Sequence, residues 1–216
     1  SASMNGTPLE ETKKASTKFV DSILNKNSNI GLVSYSGEAT NLSGICSNAT
    51  FLKDNITGLF SQMDTNIEAG LFKAYSMLQA GKAKKKIIVL MSDGEPTVGK
   101  TGEDLIKYAE KIKEQGVLIY TLGFFQNVEG DKENKAEDQY LLEKIASEGC
   151  HYEVSNSKDL VFFFKDVADQ ISGQKYIYVR IACPVDVSVT YNGQTLNSAQ
   201  SNQNLRTDFG TLSFEE

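Results

Sequence analysis

The chain has a single histidine, His151, and no Gly-x-Ser-x-Gly elbow. A serine or cysteine triad would have to use that one ring, so triad hydrolysis is set aside and His151 reads as a structural or exposed residue at a strand start. Cysteine is scarce too. Cys46, Cys150 and Cys183 stand far apart with no Cys-x-x-Cys pair, which excludes a zinc ribbon or dithiol motif. A chain of 216 residues does not need disulfide staples, so buried free thiols are expected. No apolar run reaches the roughly 20 residues of a membrane-spanning helix, so no direct membrane insertion is expected. Basic residues are outnumbered: 22 Lys and Arg against 28 Asp and Glu, for a net charge of −6. The one basic cluster, Gly81-Lys82-Ala83-Lys84-Lys85-Lys86, sits just before a strand and reads as a solvated loop. With no basic face, nucleic acid is not an expected partner.

What is present suffices for a core. Hydrophobic residues make up 40% of the chain and charged residues 23%, as in ordinary globular domains and unlike disordered ones. A helix is expected from about Pro8 to Lys26, with proline near its start. Ile30 to Tyr35 reads as a buried strand, followed by a short edge strand over Ala39 to Leu42. A short helix follows Asn48. Ile67, Leu71, Ala74 and Leu78 recur at helical spacing, and Gly81 ends that helix. Ile87 to Met91 is a continuous apolar run, the mark of a strand buried on both faces. A helix through Leu105, Tyr108, Ala109 and Ile112 leads to Gly116, then to a strand over Val117 to Leu122. The charged stretch from Glu129 to Asp138 reads as a solvated polar loop. A helix through Leu141 and Ile145, a strand at His151 to Val154, and a helix over Leu160, Phe163, Phe164, Val167 and Ile171 complete the pattern.

Strands alternating with helices predict an α/β fold: a doubly wound, mainly parallel sheet with helices on both faces. After Gly173 the pattern changes. Tyr176 to Ala182 and Val185 to Tyr191 alternate, Asn192-Gly193 is a hairpin signal, and Phe209 to Phe214 reads as a third strand. The expected organisation is one domain over 1–173 and a β segment over 174–216, possibly opening a further β module.

In open α/β sheets, ligands bind beyond the carboxyl ends of the strands. Three loops expected at that edge carry small oxygen ligands: Ser1-Ala2-Ser3-Met4-Asn5-Gly6, Asp64-Thr65-Asn66 and Met91-Ser92-Asp93-Gly94. Hydroxyls with few carboxylates suit a hard divalent cation that keeps an open position. Taken singly each motif is weak, since a Ser-x-Ser before a helix is usually a cap and an Asp after a strand a turn residue. In this order they resemble the metal-ion-dependent adhesion site of von Willebrand factor type A domains. The resemblance covers about Ser1 to Gly173. It implies that Ser1, Ser3 and Thr65 ligate a magnesium ion (or manganese or calcium), with Asp93 direct or through water. It further implies a non-enzymatic module that grips a protein ligand presenting a carboxylate, in an extracellular or cell-surface setting. Two departures stand out. The leading Asp of Asp-x-Ser-x-Ser would fall two residues before Ser1. Met63-Asp64 also occupies a place where the family often has small residues. The first central strand is likewise expected ahead of Ser1, so upstream residues or another chain are expected to complete the sheet.

Two rivals exist. Gly94-Glu95-Pro96-Thr97-Val98-Gly99-Lys100-Thr101 matches the phosphate-loop pattern, which would make a nucleotide hydrolase using Lys100 and Thr101. Against it, Glu103 and Asp104 put negative charge where a phosphate should sit. The other rival is a structural scaffold of the same fold with an inactive metal site.

Overall fold

The computed structural model describes residues 6–24, 28–92, 96–124, 132–154, 157–171, 188–191, 194–197, 205–207 and 210–212. The chain divides into two compact units, Ser1–Ser172 and Gly173–Glu216.

In the larger unit, helix α1 (Thr7–Leu24) is followed by strands β1 (Ile30–Tyr35) and β2 (Ala39–Cys46), then by α2 (Ala49–Thr57) and α3 (Ile67–Ala80). Strands β3 (Lys86–Ser92), β4 (Val117–Phe124) and β5 (His151–Val154) alternate with helices α4 (Gly102–Glu114), α5 (Lys132–Ile145) and α6 (Ser157–Ile171). β3, β4 and β5 form a parallel sheet in that order, with Lys86 opposite Val117 and Thr121 opposite His151. β1 and β2 form a separate antiparallel ribbon.

The strand side chains alternate between two helical layers. Ile88 and Leu90 face Leu71, Leu105, Ala109 and Leu142 from α3, α4 and α5. Tyr120, Leu122 and Phe124 face Ala15 of α1 and Leu160, Phe163 and Val167 of α6. Helices thus cover both faces, as the alternating pattern requires. Gly116 adopts a φ of 76° just past α4, and Gly149 one of 70° in the turn that the Cys150 N–H closes on the Ser147 carbonyl, a conformation glycine takes without steric cost.

Three expectations are corrected. The second strand extends to Cys46 instead of ending at Leu42. Residues 132–138 are not loop: α5 begins at Lys132. Lys, Glu and Ala are good helix formers, so a charged run carries a solvated helix as readily as a loop. The third concerns β3. Ile88, Leu90 and Ser92 are buried, but Ile87, Val89 and Met91 are only half-buried. β4, paired along both edges, is buried at every position except Leu118. Among the described residues β3 is paired along one edge, and so is β1, half-buried along its whole length. α3 packs on both strands, yet they are not hydrogen-bonded to each other. The Tyr35 hydroxyl of β1 reaches across and donates to the Met91 carbonyl of β3.

Beneath α6 lies a polar network. Tyr120 donates to Gln170 Oε1 at 2.9 Å, and Tyr152 donates to the Asp166 carboxylate. Burial pushes both phenols well above the ordinary tyrosine range; the Asp166 bond adds to the effect at Tyr152. A phenol harder to ionise in the folded state stabilises fully below the unfolded value of about 10 and loses that contribution as pH rises towards the folded one. The denaturation midpoint is therefore expected to fall from about pH 10 upward, with a shallower fall in Tyr152→Phe. A midpoint flat to pH 11.5 in the parent protein would contradict this. Cys46 and Cys150 are free thiols, with Cys150 buried; Cys183 lies outside the described residues.

In the smaller unit, β6 (Ser188–Tyr191) pairs antiparallel with β7 (Gln194–Asn197), Tyr191 opposite Gln194. This is the hairpin that Asn192-Gly193 signals, though those two residues are outside the described set. β8 (Leu205–Thr207) and β9 (Gly210–Leu212) form a second hairpin, β9 within the expected Phe209 to Phe214 strand. The expected Tyr176 to Ala182 strand lies outside the described residues.

Candidate metal and partner-binding site

Of the four expected ligands, Thr65 is described; Ser1, Ser3 and Asp93 lie outside the described residues. Thr65 is 5% exposed. Its N–H donates to Thr97 Oγ1 at 2.8 Å, and its carbonyl accepts from the Thr97 N–H at 2.9 Å. The next residue ties the same point to β1. The Asn66 N–H donates to the Ser36 carbonyl at 2.7 Å, and Asn66 Nδ2 donates to the Gly37 carbonyl at 3.0 Å. Asn66 Oδ1 accepts from the Ala69 N–H at 2.9 Å and so caps α3. The end of β1, the start of α3 and the loop after β3 are thereby laced together around Thr65.

That lacing fixes the Thr65 backbone and is made without its hydroxyl. A hydroxyl carried at a place so fixed is a fitting hard-oxygen ligand. Asn66 and Thr97 are the residues that sequence reading missed. Asn66 carries a legible signal, an Asn three residues ahead of an apolar helical face. Thr97 carries none, because its role depends on a loop folding back from 32 positions away.

Lys100 belongs to the same loop. Its ammonium pairs with the Glu68 carboxylate, its N–H donates to Glu68 Oε2 at 2.9 Å, and the ammonium lies 5.4 Å from the Tyr108 ring centre. The Lys100 hydrogen bond holds the Glu68 carboxyl below its usual range. A phosphate-loop lysine must be free to reach a phosphate, whereas this one fastens the loop to α3. Glu103 and Asp104 occupy the first turn of α4, as the sequence indicates. We expect Lys100→Ala to cost at most about 1 kcal/mol, the pair being exposed. A labelled ATP analogue should bind neither form in equilibrium dialysis. Saturable binding lost in the variant would revive the nucleotide reading.

His151 has a structural task. The Thr121 hydroxyl donates to the Leu142 carbonyl at 2.9 Å, so it accepts from His151 Nδ1–H at 2.8 Å. Among the described residues no group of three His, Cys, Asp or Glu side chains is placed to hold a metal.

A doubly wound sheet with helices on both faces, and Thr65 held between the end of β1 and the loop after β3, defines an α/β domain of the open-sheet kind. The von Willebrand factor type A profile matches residues 1–170, and the chain belongs to that family. Among curated proteins, the bovine inter-alpha-trypsin inhibitor heavy chain H4 is 28% identical over 190 residues, 79% of this chain and 20% of that protein. The chain thus spans about a fifth of the curated relatives it first matches. Among solved structures, the vWF domain of the type V pili tip protein Mfa5 from Porphyromonas gingivalis superposes with a TM-score of 0.69 at 20% identity, covering 83% of this chain and 95% of that one. The pilus adhesin SpaC from Lactobacillus rhamnosus GG gives 0.67 at 17% identity, covering 91% and 35%. At these identities the likeness to the structures is one of fold.

Proposed function

We infer that the protein is an adhesion or assembly module that coordinates an acidic residue of a partner through a divalent cation. The observation that carries this reading is Thr65: buried, and pinned through both backbone groups by bonds that do not use its hydroxyl. Ser1, Ser3 and Thr65 would be direct ligands, with Asp93 direct or through water. Magnesium or manganese bound by so few charged groups would offer an electrophilic position to an incoming carboxylate. The protein's own part is to hold Thr65 in register with the strand ends, which the Asn66 and Thr97 bonds do.

An extended strand entering between β1 and β3, from residues ahead of Ser1 or from another chain, would complete the sheet. A pilus tip protein and a pilus adhesin among the structural neighbours favour a cell-surface or extracellular setting. No described helix is long and apolar enough to cross a membrane.

Manganese binding, followed by titration calorimetry, tests the reading. The parent protein should bind, with affinity weakened at least about tenfold in Thr65→Ala and in Asp93→Ala, a loss of about 1.4 kcal/mol. Binding unchanged in both variants would overturn the ligand assignment. No binding by the parent would leave the scaffold with an inactive site as the better description.

A further inference from the structure

A cavity of about 480 Å³ opens between the β1–β2 ribbon and α2, within the size range of ligand pockets. Towards the start of β1, the face that meets α2 is closed by apolar packing of Ile30, Leu32 and Cys46 against Leu52 and Ile56. Towards the end of β1 the same face turns polar. Ser34 and Ser36 of β1 and Thr40 of β2 line the cavity there. The far wall is the loop after α2, fastened to β1 by the Ser36 hydroxyl donating to Gln62 Oε1. The Ser36 carbonyl is the one that holds Asn66, so the cavity adjoins the Thr65 site.

The rim has a distinct chemistry. Phe51 and Phe60 are 47% and 71% exposed, and both line this one cavity, so two aromatic rings form a shared apolar rim. Two carboxylates, Glu38 and Asp54, line the cavity, and no Lys, Arg or His does. Neither carboxylate has an ion-pair partner among the described residues. Asp54 follows Phe51 by three positions, so ring and carboxylate share one face of α2. Asp64 adds negative charge nearby, since a Cβ at Gly37 would lie 3.2 Å from its carboxylate oxygen.

We propose that this cavity receives an arginine side chain from a protein partner. The charge is complementary: two unpaired carboxylates and no competing cation. The shape of the chemistry also fits. An arginine stem lies along aromatic surface, and its planar head stacks on a ring while donating to carboxylate and hydroxyl oxygens. A purely apolar occupant would desolvate the serine and threonine hydroxyls and both carboxylates without pairing them. Lysine would supply the charge without the fork or the stacking plane. The inference makes no use of a metal ion, so it stands or falls apart from the cation reading.

The test is an NMR titration of the isotope-labelled protein in EDTA, with N-acetyl-arginine methylamide as the probe and its neutral citrulline and leucine counterparts as controls. Saturable shifts are expected at the amides of Glu38, Gly58 and Phe60, with a dissociation constant on the order of 1 mM. The citrulline probe should bind about tenfold more weakly, and so should arginine to the Glu38→Gln/Asp54→Asn double variant, both carboxylates being exposed and singly worth less. Phe60→Ala should weaken arginine several-fold while its spectrum stays folded. Equal binding of citrulline or leucine, shifts that map elsewhere or do not saturate, or an unaffected double variant would each overturn the proposal.

Discussion

Placing an apolar strand of about eight residues ahead of Ser1, ending so that Asp-x-Ser-x-Ser is restored, is expected to raise the unfolding free energy by about 6 kcal/mol. Among the described residues β1 and β3 are each paired along one edge and are half-buried, although their sequences are as apolar as that of β4. The contrast lies in pairing, because β4 has a neighbour on both sides. Completing the burial of Ile30, Leu32, Val33, Ile87, Val89 and Met91 is worth about 1 kcal/mol each, roughly half of full burial from water. The inserted strand's own burial and ordering roughly cancel. Tyr35 would have to give up the Met91 carbonyl to a backbone N–H, a near-even exchange. Denaturant midpoints of the extended and parent chains measure the gain, and a scrambled polar extension is the control. Replacing the added Asp by Ala should keep the stability and return the manganese affinity to that of the parent chain, which separates sheet completion from ligation. If the apolar and polar extensions behave alike, the gap between the strands is not a strand site.

The second large effect is expected at Gly99. Its φ is 80°, and an added Cβ would lie 3.0 Å from Asn66 Cγ and nearer still to Oδ1. Gly99→Val imposes a left-handed conformation on a β-branched residue, costing about 1–2 kcal/mol. It also drives Asn66 from its cap, costing about 1 kcal/mol more. A total of about 3 kcal/mol is expected in denaturant unfolding. Manganese binding should weaken as well, because Asn66 and Thr97 hold Thr65. The cost should be sub-additive with Asn66→Ala, since that change removes both the clash and the cap. Full additivity, or a loss below about 0.5 kcal/mol, would show that the close approach of the loop to α3 does not matter.

Much of this was legible in the chain itself. The helix faces of Leu71, Leu105 and Leu160 repeat with helical period, and the apolar runs at 87–91 and 117–122 are too short and too continuous for anything but inner strands. The short helix expected after Asn48 is present, and Asn48 caps it by accepting from the Phe51 N–H. The α5 start was not legible, because charged helix and charged loop share a composition when packing does not decide between them. Nor was the half-burial of β3, since an apolar run reports what a strand is suited to, not whether both its edges are paired.

At the site, the residue types alone pointed to Thr65 and to hard-oxygen chemistry. They also offered a phosphate-loop pattern, with Glu103 and Asp104 at the next helix start as a local sign against it. Tertiary structure added to that sign by setting Lys100 against Glu68 across 32 positions of chain. It likewise brought Thr97 to Thr65, and set Glu38 and Asp54 around one cavity. Sequence determined the elements, their order and the chemistry each carries, because periodicity and capping are properties of neighbours along the chain. Which groups are used up on one another and which stay free depends on contacts between distant segments, and only the folded chain decides those.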